Sequence, residues 1–150
     1  MISLVRTDSE NKDFRALVKQ LDAFLAVTDG EDHDFYNQYN KLDLIKHVVL
    51  IYVDNEPLAC GAIKQYDTTT MEIKRMFTSE KARGKGLASQ ILKALEIWAK
   101  ELSFNRCILE TGIRQVEAVH LYKKNNYKII ENYGQYSGLE ESICFEKQLN

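Results

Sequence analysis

The sequence predicts a mixed α/β domain on a central sheet of about seven strands, flanked by about four helices. Three observations carry that expectation. Short β-branched apolar runs alternate with stretches of helical periodicity. The strongest helical stretch, Lys85 to Leu102, follows directly on a glycine-rich turn. One proline and seven glycines interrupt 150 residues without a linker, a repeat or a low-complexity segment. Residues 1–150 therefore read as a single domain, long enough to bury a real core without disulfides or structural metal.

Each element has its own warrant. Ile2 to Val5 reads as a strand. Thr7-Asp8-Ser9-Glu10 carries a capping-box signature, and Phe14, Leu17, Val18, Leu21 and Leu25 then recur on one helical face up to Thr28-Asp29-Gly30. Glu31 to Leu44 is polar with interleaved Phe35, Tyr36 and Tyr39, and is read as a short helix. Val48 to Val53 and Leu58 to Ile63 flank Asp54-Asn55-Glu56-Pro57, so they form an antiparallel hairpin. Met71 to Thr78 is the next strand. In Lys85 to Leu102 the stripe Leu87, Ala88, Ile91, Leu92, Leu95, Trp98, Ala99 and Leu102 faces the core, with Ser89, Lys93, Glu96 and Lys100 facing away. Cys107 to Thr111 is a strand ending at Gly112, Gln115 to Asn125 a second amphipathic helix, and strands around Tyr127 to Glu131 and Ser142 to Glu146 close the chain.

Twenty basic residues against twenty-two acidic ones leave a net charge of -2, which demotes nucleic acid and anionic membranes as partners. Cys60, Cys107 and Cys144 are far apart, without a C-x-x-C pair, and each lies in an apolar run. They read as core hydrophobes rather than as a disulfide framework or a metal site. No signal-peptide pattern or membrane span is visible, so a reduced, cytoplasmic protein is expected. Glu31-Asp32-His33-Asp34 concentrates metal-ligand chemistry, but adjacent residues rarely converge on one ion, and a solvated acidic loop is the expectation. No metal is expected.

Arg83-Gly84-Lys85-Gly86-Leu87-Ala88 lies between a strand and the longest helix, and that setting is an anion site. Glycine lets the backbone approach a ligand, and the first helical N–H groups have no internal partner. The helix dipole suits a phosphate or pyrophosphate there. The turn is not a Walker loop, because Leu87 follows Gly86. It is not the dinucleotide fingerprint, because Ser89 stands where a third glycine belongs.

The same six residues resemble the R/Q-x-x-G-x-G/A motif of the GCN5-related N-acetyltransferase (GNAT) family. Ala118-Val119-His120-Leu121-Tyr122-Lys123-Lys124-Asn125-Asn126-Tyr127 resembles the family's A-x-x-L-Y-x-x-x-G-F/Y. The resemblance covers essentially the whole chain and implies a GNAT-like acyl-CoA N-acyltransferase fold with a mostly antiparallel sheet. It implies acetyl-CoA as co-substrate, its pyrophosphate on Arg83, Gly84, Lys85, Gly86, Leu87 and Ala88. Its thioester would lie along an opened strand at Met76, Phe77 and Thr78, and its pantetheine arm near Gln115. Two departures stand out: Asn126 replaces a glycine, tolerable because Asn accepts the left-handed conformation, and Gln115 replaces an asparagine.

Acetyl transfer to an amine needs a base, an oxyanion donor and an acid for the leaving thiolate. By resemblance Glu72 is the base and Tyr122 the acid; the alternatives are a glutamate paired with Lys74, Arg75 or another basic residue and an aromatic packed on the sheet. Strand alternation places Glu72, Lys74 and Met76 on one face and Ile73, Arg75 and Phe77 on the other. Tyr133 and Tyr136, with Tyr36, read either as an acceptor pocket wall or as part of an exposed loop. The expected function is direct acetyl transfer to a primary amine of a small molecule. A protein lysine or N-terminus, and a non-catalytic CoA-binding sensor or interaction module, are the alternatives; the resemblance also makes a homodimer a common arrangement.

Overall fold

The computed structural model describes residues 1–29 and 45–150. The expected helix within 31–44, the acidic run Glu31 to Asp34, and Tyr36 lie outside them. Seven strands form one sheet in the order β1-β2-β3-β4-β5-β7-β6. They are β1 (Ile2–Thr7), β2 (His47–Val53), β3 (Glu56–Gln65), β4 (Thr70–Thr78), β5 (Arg106–Gly112), β6 (Lys128–Ile130) and β7 (Ser142–Gln148). The helices are α1 (Lys12–Asp29), α2 (Leu87–Glu101) and α3 (Val116–Lys124). Every pairing is antiparallel except β4 with β5. No helix among the described residues is long and apolar enough to cross a membrane.

Two apolar layers hold the sheet. On one face α2 buries Ile91, Leu92, Leu95 and Ala99 completely against β2 to β5. On the other, Phe14, Leu17 and Val18 of α1 pack on Val48, Leu50, Cys60 and Ala62. Full burial of a leucine or isoleucine contributes about 1.5–3 kcal/mol, so packing outweighs helix propensity in fixing both helices. The expected cap of α1 does not form. Asn11 accepts the Phe14 N–H at 2.9 Å in the N-cap position, while Asp8 turns the preceding loop by accepting from the Glu10 N–H. Leu102 falls beyond the buried stripe of α2, 36% exposed. Glu96 does not simply face solvent either; it accepts from the Tyr127 hydroxyl at 2.8 Å and from Lys147 at 2.9 Å, tying α2 to β7.

Left-handed residues close the turns. Asp54 and Asn55 both have positive φ, the two-residue turn that suits a right-twisted hairpin. Asn126, at φ 71°, ends α3. The Tyr127 N–H reaches back to the Tyr122 carbonyl at 3.0 Å and the Asn126 N–H to that of Lys123 at 3.2 Å. That is the paired closure a glycine usually provides.

The strand alternation expected in β4 breaks at Arg75, which is also left-handed at φ 58°. The β3–β4 register slips there: Cys60 faces Phe77 and Ala62 faces Lys74, so Arg75 and Met76 together oppose Gly61. After this bulge the faces exchange. Ile73 and Met76 both pack in the α2 layer, while Phe77 packs in the α1 layer and Arg75 reaches Asp22 of α1 at 2.7 Å. Gly61 makes the room. A Cβ there would sit 2.5 Å from Ile91 Cγ2 and 2.6 Å from Met76 Sδ. Gly61→Ala is expected to destabilise the fold by about 1–3 kcal/mol through overpacking, measured as a lower urea midpoint at unchanged slope.

Candidate active site

The parallel pair β4–β5 is registered only at Thr70–Arg106, Met71–Cys107 and Glu72–Ile108. Beyond Glu72, β4 stays with β3 through the bulge and β5 stays with β7 up to Gly112. The sheet therefore splits into a wedge. A cavity of about 440 Å³ fills it, running from Glu72 along β4 to the glycine turn and bounded by β5, α3 and Leu21, Phe24 and Leu25 of α1.

At the closed end of the wedge lies a buried polar cluster. Glu72 is 7% exposed and its Oε2 accepts from the Tyr133 hydroxyl at 2.7 Å. Lys74, on the same face of β4, is 8% exposed; its Nζ lies 3.9 Å from that oxygen and 3.5 Å from the Tyr136 hydroxyl. Burial lowers the Lys74 pKa, against the attraction of Glu72 and Glu110. Burial and then Glu72 raise the Tyr133 hydroxyl, which stays a donor. Tyr133 and Tyr136 are held by a short 3-10 turn, Gly134–Tyr136, and stack edge to face at 5.7 Å, with Tyr66 against Tyr133 at 5.2 Å. Glu110 of β5 accepts from the Ser142 hydroxyl at 2.8 Å.

The open end belongs to the turn. Gly84 and Gly86 adopt φ of 80° and 79°, and no atom lies within 4 Å of where a Cβ would be on either. Gly86 caps α2, whose first N–H groups are left toward the cavity mouth without a side-chain cap. Arg83 donates to the Thr78 carbonyl at 3.2 Å, and its guanidinium sits 5.2 Å over Phe24 and 5.9 Å from the Phe77 ring. Tyr122 lines the opposite wall at 6% exposure, packed on Tyr127 and Phe145. Burial, then Glu110, pushes its hydroxyl well above the ordinary phenol value, so at neutral pH it carries its proton. Among the described residues that hydroxyl has no hydrogen-bond partner. The three cysteines are buried and free, their thiols raised by burial to about 12 at Cys60 and Cys107 and about 11 at Cys144.

A strand pair opening onto a glycine turn at a helix N-terminus is the arrangement that the two sequence motifs imply. Residues 13–127 match the acetyltransferase (GNAT) family model, well over half of the chain. The chain belongs to the GNAT family. It is 34% identical over 97 residues to the uncharacterised N-acetyltransferase YsnE of Bacillus subtilis, a match covering 63% of this chain and 64% of YsnE. It thus spans less than two thirds of that relative's length. Its structure resembles one from Klebsiella pneumoniae, provisionally assigned as an acyl-CoA N-acyltransferase. That pair has a TM-score of 0.84 at 27% identity, covering 100% of this chain and 99% of that one. A GNAT acetyltransferase from Elizabethkingia anophelis, solved with acetyl-CoA bound, shares the fold at TM-score 0.72 and 21% identity, covering 99% and 98%.

Of the residues singled out from sequence, Glu72, Met76, Phe77, Thr78 and Tyr122 line this one cavity. So do Arg83, Gly84, Gly86, Leu87, Ala88, Gln115 and Tyr136. Lys85 is exposed and off the wall. Tyr133 stands behind Glu72, holding its carboxylate. Sequence reasoning named Lys74 only as an alternative ion-pair partner of Glu72, and the two do lie 3.9 Å apart; it missed the burial of Lys74 in the cavity, Glu110 and the α1 wall. Phe24, one turn beyond Leu21, carried a readable signal; the burial of Lys74 carried none. Because Tyr133 donates to a buried carboxylate, Tyr133→Phe is expected to cost about 1.5–3 kcal/mol. A double-mutant cycle with Glu72→Gln in urea unfolding should show the two losses to be strongly non-additive.

Proposed function

We propose that residues 1–150 form a single N-acetyltransferase domain that transfers an acetyl group from acetyl-CoA directly to a primary amine of a small molecule. One observation carries the reading: Glu72 and Tyr122, on different elements, line the same cavity, which ends at the glycine turn. Bound acetyl-CoA supplies an activated acyl carbon. The residues present suit it. Gly84, Gly86 and the first N–H groups of α2 offer an uncapped anion site for the pyrophosphate, with Arg83 beside it. Lys124 also lines the cavity, within reach of an outer phosphate.

Within that frame each residue has a task. Glu72 takes a proton from the acceptor ammonium, directly or through water. Backbone N–H groups of the opened strand between Met76 and Thr78 meet the charge that builds on the carbonyl oxygen. Tyr122, kept protonated by burial, gives its proton to the leaving sulfur. The buried thiols, with raised pKa values, are poor nucleophiles, which supports direct transfer without an acyl-enzyme. The burial of Glu72 and Lys74 supports a small acceptor over a protein segment. A reduced, cytoplasmic setting fits the free cysteines.

Calorimetry with acetyl-CoA tests the reading. Wild type should bind, and Gly86→Trp, strained at positive φ and bulky in the turn, should not. Tyr122→Phe should retain binding within about threefold yet lower kcat by ~10²-fold, as loss of a general acid does. Binding without CoA release from any amine would favour a sensor; absence of binding by wild type would overturn both readings.

A further inference from the structure

Lys74 is the group the reaction above does not use. Its side chain is 7% exposed and it lines the cavity beside Glu72. An ammonium has three donors. Among the described residues the partners of Lys74 are one hydroxyl at the 3.5 Å limit and one carboxylate oxygen at 3.9 Å. Burying a cation is costly unless partners compensate it, and two long contacts with the attraction of Glu110 leave Lys74 only partly compensated. Glu72 is placed in the complementary way. Its Oε2 is held by Tyr133, and its Oε1 has no hydrogen bond among the described residues.

We propose that the acceptor is a free α-amino acid, its carboxylate bound by Lys74 and its amine presented to Glu72; this rests on the acyltransferase reading above. The dimensions agree. An α-amino acid holds its nitrogen and nearer carboxylate oxygen about 3 Å apart through fixed covalent geometry. Lys74 Nζ lies 3.9 Å from Glu72 Oε2, the oxygen that Tyr133 holds, so the ammonium and the carboxylate sit side by side at a comparable span. The two dipoles can lie antiparallel, each charge meeting its opposite. An alkyl diamine or a protein lysine brings no anion for Lys74 and sets a cation near it. A peptide N-terminus offers a neutral carbonyl in place of the carboxylate.

The transfer balances. The acceptor ammonium loses one proton to Glu72, and its lone pair forms the C–N bond as the thioester C–S bond breaks. The sulfur takes the Tyr122 proton. The second amine proton passes to solvent, from which Tyr122 is reprotonated, and Glu72 then releases its proton to solvent. The net products are the N-acetyl amino acid, free CoA thiol and one proton.

The test follows CoA thiol release by the full chain with acetyl-CoA and each proteinogenic L-amino acid beside its carboxamide. At least one free acid should exceed its carboxamide by about tenfold or more in kcat/KM, since a site built for a charged partner rejects the analogue lacking it. Lys74→Met should bring that ratio to within about twofold of one, and Lys74→Arg should restore part of the preference. Equal use of acid and carboxamide by wild type overturns the proposal, and that comparison needs no variant to fold. So does a preference for amines without a carboxylate, or turnover of no amino acid by a protein that binds acetyl-CoA. Failure of acetyl-CoA to bind in calorimetry overturns the acyltransferase reading instead.

Discussion

The bulge at Arg75 is the constraint on which the rest of the molecule depends. One extra residue in β4 opposite Gly61 reverses which side of the sheet each later side chain faces. Met76 turns into the α2 layer, and Phe77 and Arg75 turn toward α1. A left-handed non-glycine residue costs about 1–2 kcal/mol. The return is visible in the surroundings. The Arg75 guanidinium is almost wholly buried against Asp22, the Arg75 carbonyl accepts from the Cys60 thiol at 3.4 Å, and Met76 fills the space that Gly61 leaves. With β4 bent this way it cannot follow β5, and the parallel pairing ends at Glu72. The cavity is the gap that results.

That origin explains why its two ends differ in chemistry. At the closed end the strands are still paired, so side chains are buried and must find partners within the fold; Glu72, Lys74, Tyr133 and Tyr136 do so among themselves. At the open end the strands have separated and the chain turns through Gly84 and Gly86, so the turn and Arg83 are exposed and the start of α2 has no side-chain cap. Buried, weakly compensated charge suits recognition of a small polar group, because a low dielectric magnifies each contact. Exposed backbone donors suit a phosphate, which brings its own charge and tolerates a shared site. A single structural event, the splitting of two strands, thus provides both environments in one continuous cavity.

Much of this is legible in the amino-acid sequence alone. Element order, the β2–β3 hairpin and α2 follow from periodicity, and Asn126 in place of glycine reads as a left-handed cap because Asn tolerates that conformation. The glycine turn stands out as an anion site from local chemistry. What escapes a linear reading is tertiary. Alternation along Glu72 to Phe77 predicts faces correctly only while the register is unbroken, and nothing in Arg75 itself announces a positive φ. Thr7 to Glu10 satisfies the capping-box pattern, yet Asn11, one residue before the helix, has the shorter path to the Phe14 N–H. Glu96 looks solvated in a one-dimensional pattern, and Lys74 reads only as a neighbour of Glu72; their further contacts come from β7, Tyr127 and the turn at Gly134, far along the chain.

Tyr122 shows how local backbone rules and site geometry meet. It is the third residue from the end of α3, and its carbonyl accepts the Tyr127 N–H that closes the helix through the left-handed Asn126. The same closure sets the Tyr127 ring edge-on to the Tyr122 ring at 5.9 Å, while Phe145 of β7 supports the latter from the sheet at 5.7 Å. Its backbone and ring are therefore fixed by contacts that do not involve the hydroxyl. Tyr122 lines the cavity, and its hydroxyl takes no part in these contacts. A phenol anchored this way keeps its direction without a hydrogen bond that a substrate would have to break. The helix end that makes Asn126 necessary is thus also what holds Tyr122 in place, and the cap and the site are one arrangement.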